Sequence, residues 1–167
     1  NTLFVLYVAQ KFGWNAAQSG LLLTAFAAGN IVVMGVITPR LSRRLGEWTL
    51  MIAGLALSAV GFVALGLAPT PALFCLACVL PCLGNVCGPP MRALQTLTVS
   101  AAEQGRLQGV LGGLGALTAL IGPFAFTQLY AWSLLQPGSW SGLAMLGAAG
   151  LMAMATVVGL ATRRPTA

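Results

Sequence analysis

The chain has 167 residues, of which 58% are hydrophobic and only 6% charged, with a formal net charge of +6. Soluble domains carry roughly 25% charged residues, so a fold this poor in charge cannot cover its surface in water, and lipid is the solvent that suits its outside. The eight cations stand singly or in pairs between apolar runs and form no stripe, which excludes a nucleic-acid surface.

A spanning helix needs roughly 20 mostly apolar residues. Residues 2–10 are too few for one. They follow Asn1 with neither a basic start nor a small-residue cleavage site, so they read as the tail of a truncated first helix and not as a signal peptide. Lys11-Phe-Gly-Trp-Asn predicts a turn, with Trp14 as an interfacial anchor. Residues 20–38 make a full span that Pro39 is expected to close, and residues 40–47 a short basic loop. Residues 48–67 form the next span, and Pro69-Thr-Pro71 a tight connection. A long span over 72–99 is interrupted at Pro81 and at Pro89-Pro90. After a loop over 100–106, residues 107–132 form a span broken by Gly122-Pro123. Gln136-Pro-Gly-Ser turns into the last span, 140–161, which ends at Arg163-Arg164. No run alternates apolar and polar residues as a barrel strand would. The expectation is an all-α, polytopic membrane helix bundle of five complete helices and one partial helix.

The loops give an orientation. Arg40, Arg43 and Arg44 lie on one side, and two crossings at a time bring Arg106 and then Arg163 and Arg164 to that side as well. The opposite loops hold only Lys11. Cationic loops stay cytoplasmic, which puts the carboxyl terminus of a multi-pass plasma-membrane (inner-membrane) protein in the cytoplasm.

Polar side chains inside spans are costly and usually face the bundle interior or a water-filled path. Asn30, Ser58, Asn85, Gln95 and Gln128 are the candidates, with Asn30, Ser58, Asn85 and Gln95 chosen as lining a substrate cavity. Each has a plainer reading: Ser58 bonding to its own helix, and Asn30 and Asn85 joining two helices. Arg92 follows Pro89-Pro90 near the end of its span, where a long side chain either snorkels to the interface or points inward, toward an anionic substrate or a carboxylate partner. Gly112, Gly113 and Gly115, followed by Gly122-Pro123, allow another helix to approach closely or the helix to bend.

Cys75, Cys78, Cys82 and Cys87 lie in one apolar segment, and the C-x-x-C spacing invites a metal or redox reading. No His, Asp or Glu lies among residues 73–84 to complete a site, so the thiols read as packing groups. The only acids of the chain are Glu47 and Glu103, at loop edges, and His and Asp are absent. That inventory builds no dyad, triad or metal cluster, and implies no enzyme and no cofactor.

Several stretches resemble the major facilitator superfamily, most nearly its drug:proton antiporters of the tetracycline-efflux kind. Phe12-Gly-Trp-Asn with Gly20-Leu-Leu-Leu-Thr-Ala-Phe is similar to the turn after helix seven and the start of helix eight. Arg40-Leu-Ser-Arg-Arg-Leu-Gly-Glu resembles the loop between helices eight and nine. Ala93-Leu-Gln-Thr-Leu-Thr-Val-Ser with Glu103-Gln-Gly-Arg-Leu-Gln-Gly resembles the end of helix ten and the start of helix eleven, and Ile121-Gly-Pro the Gly-Pro of helix eleven. The likeness runs from about Phe12 to Tyr130. It implies that residues 1–167 are helices seven to twelve, a six-helix carboxyl-terminal half whose partner is an amino-terminal six-helix half. In the family's G-x-L-a-D-R-x-G loop pattern, the first Gly falls on Pro39 and the acidic position on Arg43. The resemblance aligns Asn30 with a His and Ser58 with an Asp of the tetracycline exporters, so neither titratable group is present here.

The resulting expectation is a secondary transporter that exports a small amphipathic compound, tetracycline-like compounds among them, driven by protons. The substrate, the proton and the lipid bilayer are its partners. Arg40, Arg43 and Arg44 are expected to act on the cytoplasmic side, and the stretch from Gly112 to Pro123 as a hinge or packing surface. The competing class is a membrane-embedded structural or assembly protein without a transport cycle.

Overall fold

The computed structural model describes residues 2–97, 99–100, 102–135 and 142–162. Arg163, Arg164, Trp140 and the Gln136-Pro-Gly-Ser turn lie outside them. Among the described residues the structure is all-α, with six helices joined by short turns and no strand.

The first helix, α1 (Thr2–Phe12), ends at Gly13, whose φ of +67° suits a residue without Cβ. The second, α2 (Ala16–Leu45), opens on a reciprocal cap. Asn15 Oδ1 accepts from the Gln18 N–H at 2.9 Å, and Gln18 Oε1 from the Asn15 N–H at 3.1 Å. The helix does not close at Pro39. Residues Val33–Ile37 form a single π-helical turn, after which an α segment restarts at Thr38 and runs to Leu45. Pro39 therefore occupies the first turn of a renewed segment, where a missing N–H costs little. Thr38 secures the junction, its backbone N–H and its Oγ1 both donating to the Val33 carbonyl. The expected basic loop thus shrinks to a turn at Gly46 (φ +77°), and Arg40, Arg43 and Arg44 stand on helix.

The third helix, α3 (Glu47–Leu67), is unbroken. Thr70 caps the fourth, α4 (Pro71–Leu97), by accepting from the Leu73 N–H. Its prolines repeat the device of Pro39. Pro81 is third in the segment Val79–Gly84, and Pro89-Pro90 open Gly88–Leu97 just after the 3-10 turn Asn85–Cys87. The fifth helix, α5 (Gln104–Leu135), follows Glu103, whose carboxylate accepts from Ser100 N–H at 3.3 Å and Ser100 Oγ at 2.7 Å. Those bonds hold the Glu103 carboxyl below its ordinary pKa. Gly122-Pro123 does not break α5, which continues as one 32-residue helix. The last helix, α6 (Leu143–Ala161), completes the bundle. Helices α2 to α6 are each long and apolar enough to cross a membrane, and α1 is the short sixth helix.

The hub is α3, which packs on α4 along one face and on α6 along another. Small residues make this possible. A Cβ at Gly54 would lie 2.7 Å from the Gly84 carbonyl and 2.8 Å from Cys87 Cβ, and one at Gly61 would strike the Pro81 ring. Gly142 and Gly159 allow the same closeness between α6 and α3, against Gly66 and Ile52. Two buried clusters result: Tyr7, Val8, Leu65 and Phe74 with neighbours, and Val33, Leu50, Cys82 and Val86. The perimeter is oily: Leu120 and Ile31 are about three-quarters exposed, as suits a surface wetted by acyl chains. Along α5, residues 112–121 are all exposed, while Phe126 and Leu129 further on lie beside Gly147 of α6.

The glycine contacts yield a direct test. Gly61→Leu should destabilise the bundle by about 2 kcal/mol, the usual scale of overpacking a tight contact. Gly20→Leu, where a Cβ meets nothing within 4 Å, should be near neutral. Thermal unfolding in detergent distinguishes them, and equal midpoints would refute the close α3–α4 approach.

Candidate functional site

Asn30 and Asn85, 55 residues apart, are brought into direct contact. Asn85 Nδ2 donates to Asn30 Oδ1, and Asn30 Nδ2 donates to the Phe26 carbonyl one turn back at 2.9 Å. Cys82 adds a weaker bond, its Sγ 3.9 Å from the same carbonyl. The pair therefore ties α2 to α4 by one side-chain hydrogen bond, from the Asn85 amide N–H to the Asn30 amide carbonyl. In hydrocarbon an unsatisfied amide would cost several kcal/mol, of which such a pairing removes most. Both helices depart from α geometry beside the pair, α2 in the π turn Val33–Ile37 and α4 in the 3-10 turn Asn85–Cys87, and the two irregular turns pack on each other.

The other expected cavity residues lie elsewhere. Ser58 is 6% exposed and sits in the α3–α4 seam against Gly84, lining neither of the two hollows described below. Gln95 is half-buried near the end of α4, two turns and more beyond the asparagines. Arg40 is exposed and donates from Nη1 to the Val36 carbonyl at 3.0 Å, while Arg43 and Arg44 are exposed on the last turns of α2. Arg92 and Arg106 are exposed as well, near the end of α4 and in the first turn of α5. Among the described residues, nothing beyond their own helical turn comes within 4 Å of where a Cβ would stand at Gly112, Gly115 and Gly122, and Pro123 is exposed.

Two apolar hollows open in the same part of the bundle, and Asn30 and Asn85 line neither of them. One, of about 410 Å³, runs between α2 and α4 past Leu22, Gly29, Val33, Cys75 and Cys82. The second, of about 330 Å³, lies behind it among α2 to α6, walled by Leu23, Phe62, Phe126, Met145 and Ala148. Phe26 and Cys78 line both. All four cysteines are free thiols, and no group of three His, Cys, Asp or Glu among the described residues is placed to hold a metal ion. Hollows of this kind can accept apolar surface, and their linings hold thiols but no carboxylate, imidazole or amine.

Composition alone would not select Phe26 and Cys82. The available signal was helical spacing: Phe26 stands four residues before Asn30 and Cys82 three before Asn85, on the same helix faces.

The major facilitator superfamily profile matches residues 1–167, the whole chain. The chain belongs to the major facilitator superfamily. Among curated relatives, a tetracycline resistance protein of class G from Vibrio anguillarum is 36% identical over 140 residues, which cover 84% of this chain and 35% of the relative. A class C tetracycline resistance protein from Escherichia coli is 32% identical over 89% of this chain and 37% of its own. The multidrug resistance protein MdtH of Blochmanniella pennsylvanica is 31% identical over 78% of this chain and 32% of its own. The chain thus spans about a third of the length of the curated relatives it matches. No solved structure matches it. Membership of the superfamily agrees with the resemblance of the loops and helix starts, and with a bundle of apolar helices.

If the asparagine pair joins α2 to α4, Asn30→Ala and Asn85→Ala should be non-additive. Interhelical hydrogen bonds in membranes couple by about 0.6 kcal/mol and up to about 1.7. A double-mutant cycle on unfolding in mixed micelles measures this, and strictly additive losses would show that the two amides do not act on one another.

Proposed function

We propose that residues 1–167 form the carboxyl-terminal six-helix half, helices seven to twelve, of a facilitator that exports a small amphipathic compound in exchange for protons. The observation that carries this reading is superfamily membership over the whole chain, together with relatives whose names are tetracycline and multidrug resistance proteins. In such a fold the substrate sits near mid-membrane between two halves, and their rocking gives alternating access. The apolar hollows suit the oily part of an amphipathic compound, and the asparagine pair, which lines neither hollow, supplies amide groups elsewhere on α2 and α4. Gln95 would meet the compound closer to the arginine-bearing end. The open face of α5 around Gly112, Gly115, Gly122 and Pro123 supports its role as the surface that slides or bends against the other half. Ser58 acts in this reading through packing: it sets how closely α4 approaches α3.

The driving proton needs a group that titrates, and neither amide nor hydroxyl does so near neutral pH. Glu47 and Glu103 stand at helix ends, outside the hollows. The proton-carrying carboxylate therefore lies in the amino-terminal half. In proteoliposomes holding the full-length protein, Asn30→Ala should shift the apparent substrate affinity about tenfold, the worth of one well-placed hydrogen bond. Flux should still respond to an imposed pH gradient. Residues 1–167 alone should give no gradient-driven flux. Loss of coupling in Asn30→Ala, or flux from the six-helix piece by itself, would overturn the assignment.

The arginine distribution supports a cytoplasmic location for the turn at Gly46 and for the carboxyl terminus of the plasma-membrane protein, with Arg40, Arg43 and Arg44 on that side. In a cysteine-free background of the full-length protein, Ala17→Cys should react with an impermeant maleimide added to intact cells. Leu45→Cys should react only after the membrane is opened. The reverse pattern would invert the topology.

A further inference from the structure

Arg43 and Arg44 are exposed on the last turns of α2, and among the described residues they make no hydrogen bond or ion pair. Glu47, three residues after Arg44, makes none with them. Lys11, near the other end of α2, is the contrast: its ammonium donates to Tyr7 OH at 2.7 Å and lies over the Tyr7 and Phe12 rings at 5.1 and 5.6 Å. The arginines at the end of α2 therefore keep their guanidiniums for something outside this half. The exposed side of α2 is apolar before it is basic. Ile31, Val32 and Val36 are exposed within the span, and Arg40, Arg43 and Arg44 follow within about two turns. Arg40 Nη1 donates to the Val36 carbonyl at 3.0 Å, which joins the basic end to the apolar face. A soluble phosphate would satisfy the guanidiniums and leave Ile31 and Val32 bare. An anionic phospholipid satisfies both, because its phosphate lies at the depth where a spanning helix ends and its chains run along the helix below. Guanidinium N–H groups suit phosphate oxygens, which they bind in pairs.

We propose that the end of α2 is a headgroup site for an anionic phospholipid, with Arg43 and Arg44 on the phosphate and the acyl chains along Ile31, Val32 and Val36. The site is built from this half alone, and it requires neither the export reading nor a particular direction of insertion.

The midpoint of thermal unfolding of the full-length protein in mixed micelles reads the site, since a ligand of the folded state raises it. It should climb and saturate as dioleoylphosphatidylglycerol replaces dioleoylphosphatidylcholine. Arg43→Gln and Arg44→Gln should each raise the half-saturating fraction about fivefold, and together about thirtyfold. Arg106→Gln, which removes a cation from α5, should change it by no more than about twofold. In the unsubstituted protein about 1 M sodium chloride should remove most of the preference, because charges are then screened beyond about 3 Å, and this arm needs no variant to insert or fold. Soluble glycerol 3-phosphate should leave the midpoint where it is, and a rise with it would assign the arginines to free phosphate and overturn the lipid site. Equal losses in Arg106→Gln and Arg43→Gln would reveal a diffuse positive field in place of a site. No preference for phosphatidylglycerol, with Arg43→Gln lowering the midpoint in either lipid, would mean that the amino-terminal half covers these arginines. Each of those two results also overturns the proposal. Substrate flux plays no part in the readout, so the export reading stands or falls separately.

Discussion

A bilayer core supplies no hydrogen bonds, so each backbone N–H and C=O in a spanning segment must find a partner within the protein. That constraint decides where this chain can place its prolines. Apart from Pro71, which opens α4, three of the four proline positions within spanning helices fall in the first turn of a renewed α segment: Pro39 after the π turn of α2, Pro81 after the interruption at Cys78, and Pro89-Pro90 after the 3-10 turn of α4. At each, the break in helix type comes just before the residue that cannot donate, so the missing N–H falls where an orphan donor would have stood anyway. Pro123 is the exception, embedded in the continuous α5, where Thr127 Oγ1 bonds back to the Pro123 carbonyl at 2.6 Å.

The same irregular turns organise the interior. The π turn and the 3-10 turn meet, and the asparagine pair, the Phe26 carbonyl and Cys82 gather beside them. Elsewhere, apart from the bond from Tyr7 OH to the Leu65 carbonyl at 3.4 Å, the bundle relies on dispersion at close range, which is what remains when lipid is as apolar as the side chains. The stripe of Gly54, Ser58 and Gly61 on α3 lets α4 approach to backbone contact, and Gly142 and Gly159 do this for α6. The well-packed hub of α3, α4 and α6 contrasts with α5, whose residues 112–121 are all exposed.

Hydropathy made the spans legible in the sequence, because the length of an apolar run is a property of local composition. The end of α2 was not legible, since Pro39 reads as a stop unless the π turn before it is known. Gly122-Pro123 misled in the same way for α5. Ser58 reads as a costly polar group facing a cavity, and only the opposing Gly84, 26 residues on, reveals a seam in which a small hydroxyl fits. Asn30 and Asn85 were legible as notable polar residues, and the plainer reading of them as an interhelical bond is the geometry found. That they choose one another depends on the crossing of α2 and α4, which no local pattern encodes.

The π turn also fixes an angular offset. A wide turn holds one residue more than an α turn, which rotates everything after it by about 100° around the helix axis. The arm Thr38–Leu45 therefore faces a direction that a uniform α-helix of the same sequence would not give it. Loss of a single residue from the segment Val33–Ile37 would leave α2 apolar and long enough to span. It would nevertheless turn Arg40, Arg43 and Arg44 by more than a quarter of a circle, and would move Thr38 away from the carbonyl it now bonds. The length of that five-residue segment is accordingly under tighter constraint than its apolar side chains, any of which could be exchanged for another without changing where the arginines point.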